Sequence, residues 1–223
     1  MRGIWHTKSG KTCLQTGLIF LSSLTIHTAH AACDEYLIDS TQHLHWSVPS
    51  ITVPAHGHWQ IAVYPDFQSD DNQSPVVLSE CPSGQSRTLF FLERNANVYW
   101  EPNGEQLLFI NQPVANTSEL LWFNTQTKPN ANPRQMDQIL RRATQKRLGK
   151  KSHIAFYLLD MVSWQNDQLV LSVGGAYLQK PVGAMTTYCF GIQLHPTTLK
   201  IGRVFSPAEL KRRFNGAECR TSP

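Results

Sequence analysis

Asn97-Val98-Tyr99-Trp100-Glu101-Pro102-Asn103-Gly104-Glu105-Gln106-Leu107-Leu108-Phe109-Ile110 is the stretch whose reading decides the fold. β-branched and aromatic residues lie on both sides of a Pro-Asn-Gly turn. An Asn-Gly pair accepts the positive backbone angles that join two antiparallel strands tightly. The segment therefore reads as a β-hairpin. Its second arm, from Gln106 to Asn111, reads as an alternating apolar strand.

Working outward, the same composition recurs in short runs bounded by turn residues. Strands are expected at 50–53, 59–64, 75–80, 87–93, 97–100, 106–111, 119–125, 154–159, 168–173, 186–195 and 199–204. Asn166-Asp167 and Gly174-Gly175 read as further turns. Two helices interrupt the series. Pro133–Leu148 has Asn132 as a cap, Pro133 in the first position and Gly149 past the end, with Met136, Ile139, Leu140, Ala143 and Leu148 on its apolar side. Pro207–Asn215 has Ser206 as cap with Glu209 three residues on, a capping box. There Phe205 can staple onto Leu210, while Leu210 and Phe214 pack inward and Gly216 ends the turn. The expected fold class is mainly β: antiparallel four-stranded blade-like or meander sheets with two short helices at about 133–148 and 207–215.

The opening hairpin has a weaker echo. Trp100-Glu101-Pro102-Asn103-Gly104 leads into one strand and, after a loop, into Glu119-Leu120-Leu121-Trp122. Trp164-Gln165-Asn166-Asp167 leads into Gln168–Val173 and, after a loop, into Tyr188-Cys189-Phe190-Gly191-Ile192. Over about 87–127 and 154–204 the chain resembles the WD40-like repeat of TolB-type β-propellers, whose blades carry a Trp-Ser-Pro-Asp-Gly-like turn. That resemblance implies an interaction scaffold, not a particular reaction. Trp46, Trp100 and Trp164 stand 54 and 64 residues apart. This is wider than the about 40–45 residues of a regular blade, so an unclosed meander of hairpins stands beside a closed propeller.

The amino terminus points to an address. Arg2, Lys8 and Lys11 precede an apolar run from Leu14 to Ile26, and Ala29-His30-Ala31 follows as a small-residue cleavage pattern. Basic, apolar and small-residue regions in that order make a secretory signal peptide over 1–31, leaving a single mainly-β domain over 32–223. The run contains Gln15, Thr16, Ser22 and Ser23 and is shorter than the roughly 20 apolar residues needed to cross a bilayer. No later segment is longer. The expected location is periplasmic or extracellular. A lipid anchor at Cys33 is the lesser alternative, because His30 stands where such signals carry an aliphatic residue.

Cleavage would reduce lysine plus arginine from 20 to 17 against 16 acids, so the basicity of the full chain is partly that of its leader. Net charge then gives no support to specific nucleic-acid binding. Cys13 would leave as well. Cys33, Cys81, Cys189 and Cys219 remain, an even set suited to two disulfides in an oxidising compartment, with three pairings open. No two of them have the C-x-x-C spacing of a zinc site.

Candidate chemistry is sparse. No nucleophile elbow, phosphate loop or H-E-x-x-H helix occurs. His43/His45 and His56/His58 are pairs two residues apart, and in a strand each pair shares a face. Together they could hold zinc or copper. The 128–151 segment carries eight lysines and arginines against Asp137 alone. A basic amphipathic helix binds anionic surfaces or acidic proteins, which makes Arg141, Arg142, Lys146 and Arg147 the expected partner-binding residues. The function expected is that of an exported, non-enzymatic interaction protein without a cofactor, such as an envelope assembly factor or an inhibitor or immunity protein. Its partner would be a protein or an anionic envelope component. The alternative is a small metal-binding protein or metal-dependent hydrolase built on the histidine pairs.

Overall fold

In the computed structural model the residues described are 43–47, 50–52, 59–65, 73–81, 83–101, 104–126, 132–179 and 183–222, all within one compact unit, Ala31–Pro223. Its elements run β1 (His43–His45), β2 (Ser50–Thr52), β3 (Trp59–Val63), β4 (Ser74–Glu80), β5 (Ser86–Leu92), β6 (Asn95–Trp100), β7 (Gln106–Val114), β8 (Thr117–Asn124), α1 (Gln135–Leu148), β9 (Ser152–Gln165), β10 (Gln168–Gln179), β11 (Ala184–His195), β12 (Lys200–Phe205) and α2 (Pro207–Arg213). One sheet of eight strands has the order β1-β6-β7-β8-β9-β10-β11-β12, and a second has the order β2-β3-β4-β5. The fold is mainly β with two short helices, as the sequence pattern requires. No closed barrel or propeller forms among the described residues.

β7 explains why one strand is apolar on every residue. Leu107 and Phe109 face the four-stranded sheet, in a core with Ile61, Val63, Val76, Leu78 and Leu92. Leu108 and Ile110 face the other way, into a core with Met136 and Leu140 of α1 and with Leu159, Leu171, Phe190 and Ile192. Each such side chain contributes about 1.5–3 kcal/mol through removal from water. A polar residue at any of these four positions would therefore damage one core or the other.

All strand neighbours in the large sheet are antiparallel except one pair. β8 and β9 run parallel and meet at a single position, Thr117 opposite Tyr157. Parallel neighbours need a crossover, and α1 supplies it. Beyond Thr117 the amides of β8 turn to the helix segment. Trp122 N donates to the Pro133 carbonyl at 3.0 Å and Leu120 N to Asp137 Oδ1 at 3.1 Å. From the other side Leu159 N donates to Ser118 Oγ at 3.1 Å. A side-chain seam thus takes over from backbone pairing, and the buried amides along it are satisfied.

Several local expectations change, and β1 was not among the strands expected. Gly174-Gly175 is not a turn but the middle of β10, where Gly174 pairs with Leu158 and Cys189. The reason is close approach. A Cβ on Gly174 would lie 2.0 Å from the Arg220 carbonyl oxygen, and one on Gly175 would lie 2.1 Å from that of Phe156. α1 begins at Gln135 rather than Pro133, because Asn132 Oδ1 accepts from Arg134 N at 3.0 Å and closes a turn ahead of the helix. β9 and β10 extend to 14 and 12 residues, beyond the runs marked by apolar alternation.

α2 carries its capping box as written in the sequence: Glu209 N donates to Ser206 Oγ, and Ser206 N to Glu209 Oε2 at 2.9 Å. Phe205, Leu210 and Val170 form a third small core with Phe214 against it. The helical part ends at Arg213, two residues earlier than expected. The tail then crosses β10, held by the Cys189–Cys219 disulfide and by Arg220, whose guanidinium meets Asp160 at 2.7 Å. Cys81 is also disulfide-bonded. Cys33 and the whole of 1–31 lie outside the described residues.

Candidate functional site

The four cations expected to act together on α1 are divided by the fold. Arg141 turns toward β8 and β9. Its Nε donates to Asp137 Oδ2 at 2.6 Å, its Nη2 to the Ser118 carbonyl at 2.6 Å, and its guanidinium lies 4.2 Å from the Tyr157 ring centroid. Burial pushes the Asp137 carboxyl above its ordinary range, with Arg141 opposing the shift. Burial likewise raises the Tyr157 and Tyr188 hydroxyls, and the latter donates to the Phe156 carbonyl. Arg141 is therefore part of the seam that anchors the helix.

Lys146 and Arg147 lie on the opposite flank, and Arg142 is exposed on the outer surface. None of these three forms an ion pair among the described residues. Lys146 and Arg147 stand with Ala143 along one wall of a cleft of about 470 Å³. Phe190 and Ile192 of β11 and Ile201 and Val204 of β12 line the rest. The Arg147 guanidinium sits 5.1 Å from the Phe190 ring centroid, so its charge hangs over an apolar floor.

A bulge builds that floor. β12 pairs Val204 with Ile192 and Ile201 with Leu194, and the irregularity between these pairs leaves Gly202 and Arg203 opposite Gln193. Two residues opposing one returns Ile201 and Val204 to the same face despite their spacing of three. Sequence reading found the basic half of the cleft but not this apolar half. Alternation alone assigns Ile201 and Val204 to opposite faces, and nothing local to β12 announces the extra residue.

A smaller cleft of about 210 Å³ lies among Trp59, Leu78, Gln85, Ser86, Arg87 and Thr125. Its cation is already committed, with Arg87 Nη2 donating to the Asn124 carbonyl at 2.6 Å and to that of Gln126 at 3.3 Å. Of the two histidine pairs, His43 and His45 lie within the described residues. His43 and His45 share one face of β1, with Leu44 buried on the other. His43 Nδ1 lies 2.8 Å from Asn97 Oδ1, and His45 Nδ1 lies 2.8 Å from Ser47 Oγ. His56 and His58 lie outside the described residues. Among the described residues no group of three or more His, Cys, Asp or Glu is placed to hold a metal ion, and no helix is long and apolar enough to cross a membrane. No protein-family model matches the chain, and no curated protein matches it.

Proposed function

We propose that this chain is an exported, non-enzymatic binding protein that holds an anionic partner on the exposed side of α1. The observation that carries the reading is the pair Lys146 and Arg147, unpaired by any described acid and set beside an apolar cleft of about 470 Å³. Polar atoms that orient a ligand, over a mostly apolar concavity that supplies contact area, are what a binding site needs. The Cys189–Cys219 disulfide and the leader-like amino terminus support an oxidising compartment. The hairpins that resemble TolB-type blades support a role in interaction, because such repeats serve as scaffolds.

The test uses a heptapeptide of glutamate alone, labelled and titrated against the protein at low salt. Replacing Arg142, Lys146 and Arg147 together by Gln is expected to weaken binding at least tenfold, and raising salt to weaken it in the unmodified protein. Affinity unchanged by the triple replacement removes the reading.

A further inference from the structure

The cleft beside α1 has an open side. β12 ends the eight-stranded sheet, and among the described residues nothing pairs with its outer edge. An edge strand presents a row of backbone donors and acceptors ready for another chain. Here that row runs along the cleft wall formed by Ile201 and Val204, and Val204 is 38% exposed. We infer that β12 receives an extended peptide segment of a partner protein as a ninth strand, with apolar residues facing the cleft and acidic residues alternating with them. This rests on the anionic-partner reading above and specifies how the partner is held.

Register and charge select that occupant. A strand added beside β12 continues the pleat, so every second side chain falls on the face that carries Phe190, Ile192 and Val204, under α1. Those positions are apolar in the partner. The remaining side chains fall on the reverse face, where Lys200 and Arg203 stand with Gln193 and His195. Arg203 is engaged with Glu209 at 2.7 Å, and Lys200 is exposed without an ion pair among the described residues. Acids are favoured there, while Lys146 and Arg147 stand on the other face beside the apolar positions and attract the segment's net negative charge at longer range. A second copy of β12 is disfavoured on that edge, because it would bring its own Lys200 and Arg203 to the same surface. Cations that guard an edge against self-association thus admit an acidic strand. Backbone bonds supply affinity in this mode and the alternate side chains supply selectivity.

The experiment compares three labelled heptapeptides on the full chain: one alternating Glu and Val, one of Glu alone, and the alternating one with N-methyl groups on every second amide. The alternating peptide is expected to bind at least tenfold more tightly than the Glu-only peptide. N-methylation on the strand-pairing edge is expected to abolish that advantage, tested in both phases of methylation. Val204→Asp is expected to abolish it too, and exchange of β12 amides with deuterium is expected to slow at least tenfold on binding. Equal binding of the alternating and Glu-only peptides, or binding indifferent to both N-methyl phases, overturns strand addition while leaving the anionic-partner reading in place. Failure of both unmethylated peptides to bind overturns the two together. Because N-methylation alters only the probe, this arm holds even if Val204→Asp perturbs folding.

Discussion

Arg141 shows how a residue's role depends on its neighbours rather than its charge. In the sequence it belongs to a basic run and counts as a surface cation. In the structure it is 35% exposed, pairs with buried Asp137, bonds the Ser118 carbonyl and covers the Tyr157 ring. Removing the partner of a buried carboxylate is more costly than removing a surface charge, because the carboxylate keeps its desolvation penalty without compensation. Arg141→Ala is therefore expected to lower stability by about 2 kcal/mol, below the roughly 3–5 kcal/mol of a fully buried pair because solvent reaches one side. Arg142→Ala should remain within about 0.5 kcal/mol. Urea unfolding of the two variants measures the difference, and equal effects would contradict the anchoring role. The nearness of Asp137 to Arg141 was legible from their spacing of four on a helix. That the pair closes onto β8 was not, since the Ser118 and Leu120 contacts are made across the crossover.

At the scale of elements, α2 was the most legible feature because everything that starts it is local. Ser206 and Glu209 satisfy each other's backbone amides whatever the rest of the chain does. The amide of Ser206, then its hydroxyl, then Arg203 hold the Glu209 carboxyl down from its ordinary 4.5 to about 2. A depressed carboxylate stabilises the fold above its unfolded value, and that contribution is lost as pH falls from about 4.5 toward about 2. Glu209→Gln should therefore destabilise the protein near neutrality, with the difference from the unmodified chain shrinking across that window. Unfolding curves taken at a series of acidic pH values measure it, and a difference constant down to pH 2 would refute the linkage. Gly174-Gly175 was misread for the opposite reason. A turn and a close approach both call for glycine, and only the tail passing over β10 tells them apart.

For the whole molecule, eleven of the twelve described strands could be read from the sequence, all but β1, but not their assignment to two sheets. The corner between β5 and β6 has only Glu93 and Arg94 to mark it. The parallel junction of β8 and β9 depends on where α1 packs, a long-range matter that no local pattern encodes. The same holds for the cleft, whose basic wall was legible and whose bulge-built floor was not. The disulfide does announce itself by parity, and the structure pairs Cys189 with Cys219 across a separation of 30 residues. Closing a loop of that size removes chain entropy worth roughly 3–4 kcal/mol in the loop-closure account. The double replacement Cys189→Ala and Cys219→Ala should cost about that much, measured by denaturant unfolding under conditions that leave other disulfides oxidised. A cost below about 1 kcal/mol would mean that the tail is held by Arg220 and Asp160 instead.

The seam between β8 and β9 has a mechanical meaning. Antiparallel neighbours such as β10 and β11 share a load over more than ten consecutive positions. β8 and β9 share one. Tension passing across the large sheet must there leave the backbone and travel through Asp137, Ser118 and Arg141, groups whose bonds shear singly rather than in ranks. The eight strands therefore form two stiff plates joined by a short side-chain coupling, and α1 is the pin on which that coupling bears.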